Sequence, residues 1–203
     1  MIEKQLYSYR MNLQELEKWA ELKNIILSDC KKMQISHQHH DWIDKRTDSI
    51  DPYNHVAGYS QADGYFYIED GDRGEINLSC CSRNFEDIRW YLLTSVAGYA
   101  GQYYELTHRK SDEKCWRYPR KFIDGKLILK QRLIWKYNAI HDTRKLWFEY
   151  EINALAKVAD QARLTVFVNE RTGLLNLWFD QPHWGFDWEK MTFVEISDSK
   201  ERR

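Results

Sequence analysis

The fold is decided by the stretch from Gly64 to Arg109, which reads GYFYIEDGDRGEINLSCCSRNFEDIRWYLLTSVAGYAGQYYELTHR. It begins with two segments of extended character, at 65–69 and 75–80, separated by the residues Asp-Gly-Asp-Arg-Gly. Aspartate and glycine favour tight turns, because glycine tolerates left-handed backbone and aspartate bonds its own main chain. The stretch therefore predicts a β-hairpin with its loop at 70–74.

A long helix follows this hairpin in the sequence. Asn84 is suited to cap a helix, and apolar residues then recur every three or four positions, as on one face of a helix. These residues are Phe85, Ile88, Leu92, Val96, Tyr99, Tyr103 and Leu106. The pattern predicts one central helix at about 84–109, with this single stripe facing the core.

The rest of the chain predicts further helices and hairpins. Apolar spacing indicates helices at about 12–31 and 143–159. Extended runs indicate one hairpin around 123–126, a second at 164–179 around the residues NERTG, and a last strand at 191–196. We therefore predict an α+β fold with largely antiparallel sheets. A single domain is expected over 1–203, with a core at about 64–160 and with the first helix and a C-terminal hairpin, 164–196, as additions.

Composition narrows the classes of protein to which the chain can belong. Among its 203 residues, 43% are hydrophobic and 30% are charged, which is typical of a globular protein. No run of about 18 apolar residues is present, so no membrane span is expected. The N-terminus has no apolar signal core and the four cysteines form no C-x-x-C pair. Both features predict a cytoplasmic protein with reduced thiols.

Two clusters are considered as sites of chemistry. The stretch His37–Asp41 holds three imidazoles and a carboxylate, which are ordinary zinc ligands, but the helical H-E-x-x-H spacing is absent. Cys81 precedes the Asn84 cap, where a helix N-terminus lowers a thiol pKa. A solvated loop and packed thiols are the favoured interpretations. We therefore expect no catalytic residue, no metal and no cofactor.

Two further stretches indicate binding. Residues 116–122, WRYPRKF, interleave cations and rings as single-strand binders do, although an edge strand guarded by charge explains them as well. Residues 178–188, WFDQPHWGFDW, combine aromatic rings with acids, and buried rings are frequent anchors of protein interfaces. The chain is also locally acidic, with nine acids against three bases at 41–75.

Part of the chain resembles a known family. GYFY at 64–67, the turn at 69–74, Trp90 and Tyr91 in the helix, YELTHR at 104–109 and DTRKLWFE at 142–149 are similar to the immunity-protein-sixty-three family. These are small bacterial proteins of polymorphic toxin systems, including contact-dependent growth inhibition. The match covers about half of the chain. It departs from the family pattern at the N-terminal helix, at about 110–141 and at the C-terminus.

The resemblance implies an immunity protein that binds and neutralises the C-terminal domain of a cognate toxin, for which a nuclease is the expected activity. It brings no catalytic residue. Acidic and aromatic residues are the expected partner contacts, namely Glu69, Asp70, Asp72, Asp180, Trp184, Asp187 and Trp188. A nucleic-acid-binding module that uses 116–122 is the alternative. A metal enzyme at 37–41 and an interaction scaffold unrelated to toxins also stay open.

Overall fold

The computed structural model describes residues 13–40, 43, 56–72, 75–108, 122–123, 126–127, 144–177 and 183–196. In chain order its elements are α1 (Leu13–Met33), a short 3-10 turn (His37–His39), β1 (Val56–Ser60), β2 (Tyr65–Asp72), β3 (Glu75–Ser82), α2 (Phe85–His108), β4 (Phe122–Ile123), β5 (Lys126–Leu127), α3 (144–155), α4 (Gln161–Leu177), β6 (His183–Asp187) and β7 (Thr192–Ile196). Every strand pairing is antiparallel. The chain has an α+β fold, as predicted.

Contacts between residues divide the chain into two compact units, Met1–Ala97 and Gly98–Arg203. The boundary falls within α2, so each unit contains part of this helix. The expectation of a single domain over 1–203 stays a prediction. In the part of the chain that the structure describes, no helix has both the length and the apolar character needed to cross a membrane.

The first unit contains a sheet with the strand order β1-β2-β3. Phe66, Tyr67 and Ile68 of β2 are all buried. Because successive side chains of a strand point to opposite faces, this central strand is covered on both sides. Gly64 precedes it with φ +73°, a left-handed conformation that suits glycine.

The β2–β3 hairpin differs from the predicted one in its connection. β2 continues to Asp72, which pairs with Glu75, and Asp70 pairs with Asn77. The predicted loop at 70–74 is therefore too long, since only two residues separate the strands. Backbone pairing extends into the acidic sequence because two-residue connections match the twist of paired strands.

Helix α1 confirms its predicted position and extends to Met33. It ends at Gln34, which has φ +60°, and the Ile35 N–H donates to the Cys30 carbonyl at 3.2 Å. This bonding pattern satisfies carbonyls at the end of a helix. Arg89 of α2 binds the buried Asp29 of α1 through two nitrogens, at 2.6 and 2.7 Å from the same carboxylate oxygen. The ion pair joins the two helices within the first unit.

Helix α2 was predicted correctly in extent but only partly in its buried face. Ile88, Leu92 and Val96 are buried, as expected, whereas Tyr99, Tyr103 and Leu106 are 50%, 51% and 55% exposed. In the second half the buried residues are instead Ala100, Gly101 and Glu105. At 100° per residue, the mean direction of the second set lies about 160° around the helix from that of the first, so the buried face rotates by nearly half a turn. A single straight stripe was therefore the wrong prediction.

The hairpin predicted at 164–179 is wrong, because these residues form helix α4. Asp160 caps it by accepting the Arg163 N–H at 2.8 Å, and the Thr165 and Thr172 hydroxyls donate to carbonyls four residues earlier. A Cβ atom added at Gly173 would meet no other atom within 4 Å, so no close contact requires glycine there. The buried residues follow a helical period and are Leu164, Phe167, Val168 and Leu175. The C-terminal hairpin is instead β6–β7, whose second strand matches the strand predicted at 191–196.

Two other predictions agree with the described residues. The hairpin around 123–126 is present as the pairs Phe122 with Leu127 and Ile123 with Lys126. Helix α3 spans 144–155 of the predicted 143–159, and its Phe148, Ile152 and Leu155 are buried.

Candidate partner-binding surface

The β6–β7 turn contains two of the predicted partner contacts, Asp187 and Trp188. The Asp187 carboxylate accepts the main-chain N–H groups of Glu189 and Lys190, both at 3.0 Å. The Lys190 ammonium lies 3.1 Å from its other oxygen. These bonds, first the one from the Lys190 N–H, lower the pKa of Asp187 below its ordinary value. Asp187 is therefore an ionised carboxylate, and its bonds to the main chain stabilise the turn.

Trp188 stands at the tip of this turn and is 39% exposed. Its ring meets the ring of Phe186 edge-on with the centroids 5.1 Å apart, and Phe186 meets the buried Phe193 in the same way, also at 5.1 Å. Edge-to-face pairs of this kind are favourable beyond the area they bury. A chain of three rings thus connects an exposed indole to the core of the hairpin.

Two polar side chains of helix α3 bind the C-terminal side of the turn. Glu149 accepts the Phe193 N–H at 2.7 Å and also accepts the Thr192 hydroxyl. Asn153 donates to the Met191 carbonyl at 3.1 Å. Sequence reasoning assigned no role to Glu149 or Asn153, because polar residues on an amphipathic helix are expected to face solvent. The indole therefore projects from a backbone that is fixed on both sides.

Trp184, a third predicted contact, lies in β6 and is half-buried. The Asn176 amide of α4 acts as a strand partner for it, since its Oδ1 accepts the Trp184 N–H at 2.7 Å and its Nδ2 donates to the Trp184 carbonyl at 3.1 Å. The Lys145 ammonium lies 5.2 Å from the centroid of the indole. Trp184 thus packs β6 onto the helices, whereas Trp188 projects from the turn.

The remaining predicted contacts lie elsewhere in the chain or outside the described residues. Glu69, Asp70 and Asp72 all belong to β2, so the structure places these three acids on one strand of the first unit. Asp180 lies outside the described residues. Partner binding by any of these residues stays a prediction.

Beneath the turn, α3 carries a buried carboxylate on another face. Glu151 is fully buried and accepts the Trp147 indole N–H and the Arg171 Nε–H, each at 2.7 Å. Burial raises the pKa of Glu151, and the opposing effects of Arg171 and Trp147 reduce the rise. The Arg171 guanidinium also stacks over the rings of Phe148 and Phe167, 5.1 and 4.4 Å from their centroids. This cluster fixes α3 to α4.

The structure describes only part of the histidine-rich stretch 37–41 that was considered for catalysis. His37 and His40 meet edge-on at 5.1 Å, and no three described His, Cys, Asp or Glu residues are grouped as a metal site would require. Asp41 lies outside the described residues. Burial lowers the pKa of His39, so desolvation, which disfavours an imidazolium, governs that ring.

Burial works against a nucleophilic role for two of the described thiols. Cys80 and Cys81 are consecutive residues of β3, so their side chains point to opposite faces. Burial raises the pKa of Cys80 and, most strongly, that of Cys30, to about 12. The first turn of α2 is capped by Asn84, which accepts the Glu86 N–H at 3.1 Å, and by Ser82, which accepts the Asn84 N–H at 3.0 Å.

The basic aromatic stretch 116–122 falls outside the described residues except for Phe122, so nucleic-acid binding there is not addressed by the structure. Comparison of the chain with protein-family models, with curated proteins and with solved structures gave no significant match in any of the three. The resemblance to the immunity-protein-sixty-three family therefore stays a prediction from the sequence.

Proposed function

We propose that this chain is an immunity protein that binds and neutralises the C-terminal domain of a cognate bacterial toxin in the cytoplasm of the producing cell. The proposal joins the sequence resemblance to one observation, the exposed Trp188 on a turn that Asp187, Glu149 and Asn153 hold in place. An inhibitor of this kind acts by fit to a partner and needs no bond-making of its own.

Tryptophan is the residue type most suited to such a role. Alanine scanning of interfaces finds that a few residues, enriched in Trp, Tyr and Arg, each cost about 2 kcal/mol or more when truncated. A side chain that is already ordered loses little freedom on binding, which leaves more of its contact energy for affinity. The ring contacts of Trp188 with Phe186 and the bonds around Asp187 provide that order.

The acidic strand supports the same proposal through a different physical effect. Glu69, Asp70 and Asp72 follow one another closely on β2, and a toxin that is a nuclease would present cations to its own substrate. Opposite charges accelerate the encounter of two proteins more than they slow its reversal. The acids would therefore raise the rate at which the toxin associates, and Trp188 would lower the rate at which it dissociates.

Growth rescue tests the proposal. A candidate toxic C-terminal domain, taken from the reading frame next to the gene, is expressed in a sensitive host with the full chain, the Trp188→Ala variant or the Glu189→Ala variant. We expect the wild type and Glu189→Ala to restore growth and Trp188→Ala to fail when its expression is limited, because only the tryptophan anchors the complex. Glu189 is a matched control, since it is exposed on the same turn.

Two outcomes would overturn the proposal. The first is that the wild-type chain restores no growth although it is produced and folded. The second is that no reading frame for a toxic domain accompanies its gene. Equal rescue by Trp188→Ala at every expression level would leave the inhibitor role intact and remove Trp188 from the interface.

A further inference from the structure

The β6–β7 hairpin has two strand edges, and a side chain from a helix occupies a hydrogen-bonding position on each. The Asn176 amide of α4 accepts the Trp184 N–H at 2.7 Å and donates to the Trp184 carbonyl at 3.1 Å. On the other strand, Glu149 of α3 accepts the Phe193 N–H at 2.7 Å. These main-chain groups therefore point away from the hairpin, towards the position that a third strand would take.

The register of the hairpin identifies a further pair of main-chain groups at the β6 edge. Trp184 lies opposite Glu195, and Phe186 lies opposite Phe193. Hydrogen-bonded and non-hydrogen-bonded positions alternate along an antiparallel pair. Because Trp184 and Phe193 bond outward, both of these positions are non-hydrogen-bonded. The N–H and carbonyl of Phe186 thus face the same outer edge of β6 as those of Trp184.

An asparagine side chain reproduces the donor and the acceptor of a strand residue. Asn176 offers Trp184 the two bonds that a neighbouring strand would offer, but the ladder ends there, since a helical side chain has no next residue in register. Strand edges pair with other chains when they are left open, and folded proteins prevent this pairing by covering or charging them. Asn176 covers the β6 edge in this way.

We propose that Asn176 is an autoinhibitory contact that blocks the β6 edge, and that its removal lets β6 pair with β6 of a second copy of this chain. The strand is self-complementary. A two-fold axis at Gly185 would place Trp184 of one copy opposite Phe186 of the other, which satisfies both outward-facing residues of each copy. Trp184 and Phe186 share one face of β6, where ring pairs across strands are favourable. The inference is independent of the proposed function.

The test measures self-association of the full chain by analytical ultracentrifugation. Asn176→Ala frees the main-chain groups of Trp184, so we expect its self-association constant to exceed that of the wild type at least about tenfold. The Trp184 and Phe186 amides should gain protection from hydrogen exchange as the concentration of this variant rises. Asn176→Asp loses the same donor but leaves a charge at the edge, so it should associate as the wild type does.

Asn153→Ala is the matched control. The Asn153 amide also donates to the main chain of the hairpin, at 3.1 Å from the Met191 carbonyl, but it does so at the turn, where no strand can pair. Its self-association constant should stay within about twofold of the wild type. An equal increase in Asn153→Ala or in Asn176→Asp would overturn the inference, because general loosening of the hairpin would then cause the association.

Wild-type self-association by Asn176→Ala would also overturn the inference, provided that its far-ultraviolet circular dichroism matches that of the wild type. If the dichroism differs, Asn176→Leu takes its place, since leucine keeps the volume of the side chain and favours the helix. The same two outcomes then decide the matter.

Discussion

Helix α3 carries two glutamates, two residues apart, that stabilise different parts of the second unit. Glu151 is fully buried and binds Arg171 and Trp147, which fixes helix to helix. Glu149 is partly exposed and binds the main chain at Phe193, which fixes the turn that projects Trp188. One face of the helix therefore supports the core and another supports a surface. Changes on the two faces should separate global stability from local order.

The largest effect is expected from Glu151→Ala. It leaves the Arg171 guanidinium without its buried partner, and breaking such a pair typically costs about 3–5 kcal/mol. Urea denaturation followed by tryptophan fluorescence measures the loss. Glu170→Ala is the control, because Glu170 is exposed on α4 and its removal should change the free energy of unfolding by less than about 0.5 kcal/mol. Equal effects of the two variants would contradict a structural role for Glu151.

A smaller loss is expected from Gly101→Ala, on the helix that the buried face of α3 contacts. A Cβ atom at Gly101 would lie 2.6 Å from Trp147 Cδ1 and 2.9 Å from the Trp147 carbonyl oxygen, so the backbone would have to move. Overpacking of this kind costs about 1–3 kcal/mol. Gly173→Ala in α4 has open space and should instead stabilise by up to about 1 kcal/mol. Stabilisation by both alanines would show that α2 and α3 are not closely packed.

On the other face, Glu149→Ala should have a more local effect. It removes the acceptor of the Phe193 N–H and the Thr192 hydroxyl, and an unsatisfied group costs about 1–3 kcal/mol where water cannot replace the acceptor. The strand is near the surface, so the lower end of that range is expected. Hydrogen exchange should accelerate at the Phe193 amide while amides of α4 keep their protection. Uniform acceleration would contradict the division between the two faces.

The smallest effect concerns pH. Because the pKa of Glu151 is raised on folding, protonation of this carboxyl stabilises the folded state, and that contribution is complete below its unfolded pKa of about 4.5. The contribution is lost as the pH rises through its folded pKa. Glu151→Gln cannot titrate, so the stability of the wild type relative to this variant should fall between pH 4 and pH 7. Denaturation at both pH values measures the difference, and a rise instead of a fall would contradict the sign.

The sequence predicted those elements whose local pattern and tertiary environment agree. Helix α2 has a cap at Asn84 and a regular apolar period, and the β2–β3 hairpin has its turn residues between two extended runs. The α+β class follows from such elements. In the C-terminal part of α2 the buried face rotates towards Ala100, Gly101 and Glu105, and none of these residues is hydrophobic enough to reveal it.

Helix α4 shows why local propensity fails. The run Leu164–Val168 is rich in residues typical of strands, and Gly173 ends a sequence that is typical of a turn. The buried residues nevertheless share a helical period, namely Leu164, Phe167, Val168 and Leu175. Burial of that face outweighs propensities that differ by less than about 1 kcal/mol per residue. The turn at Asp187 and Trp188 could be noticed from its rings and acids. Its support by Glu149 and Asn153 could not, because contacts about 40 residues apart leave no local pattern.

The most direct test is the dissociation rate of the full chain from a candidate toxic domain that is encoded beside its gene and inactivated at its active site. The rate is measured for the wild type and for Trp188→Ala with one protein immobilised on a sensor surface. We expect a stable wild-type complex and dissociation at least about 30-fold faster for the variant, as truncation of a tryptophan anchor implies. A wild-type chain that shows no binding, or a variant that dissociates at the wild-type rate, would contradict it.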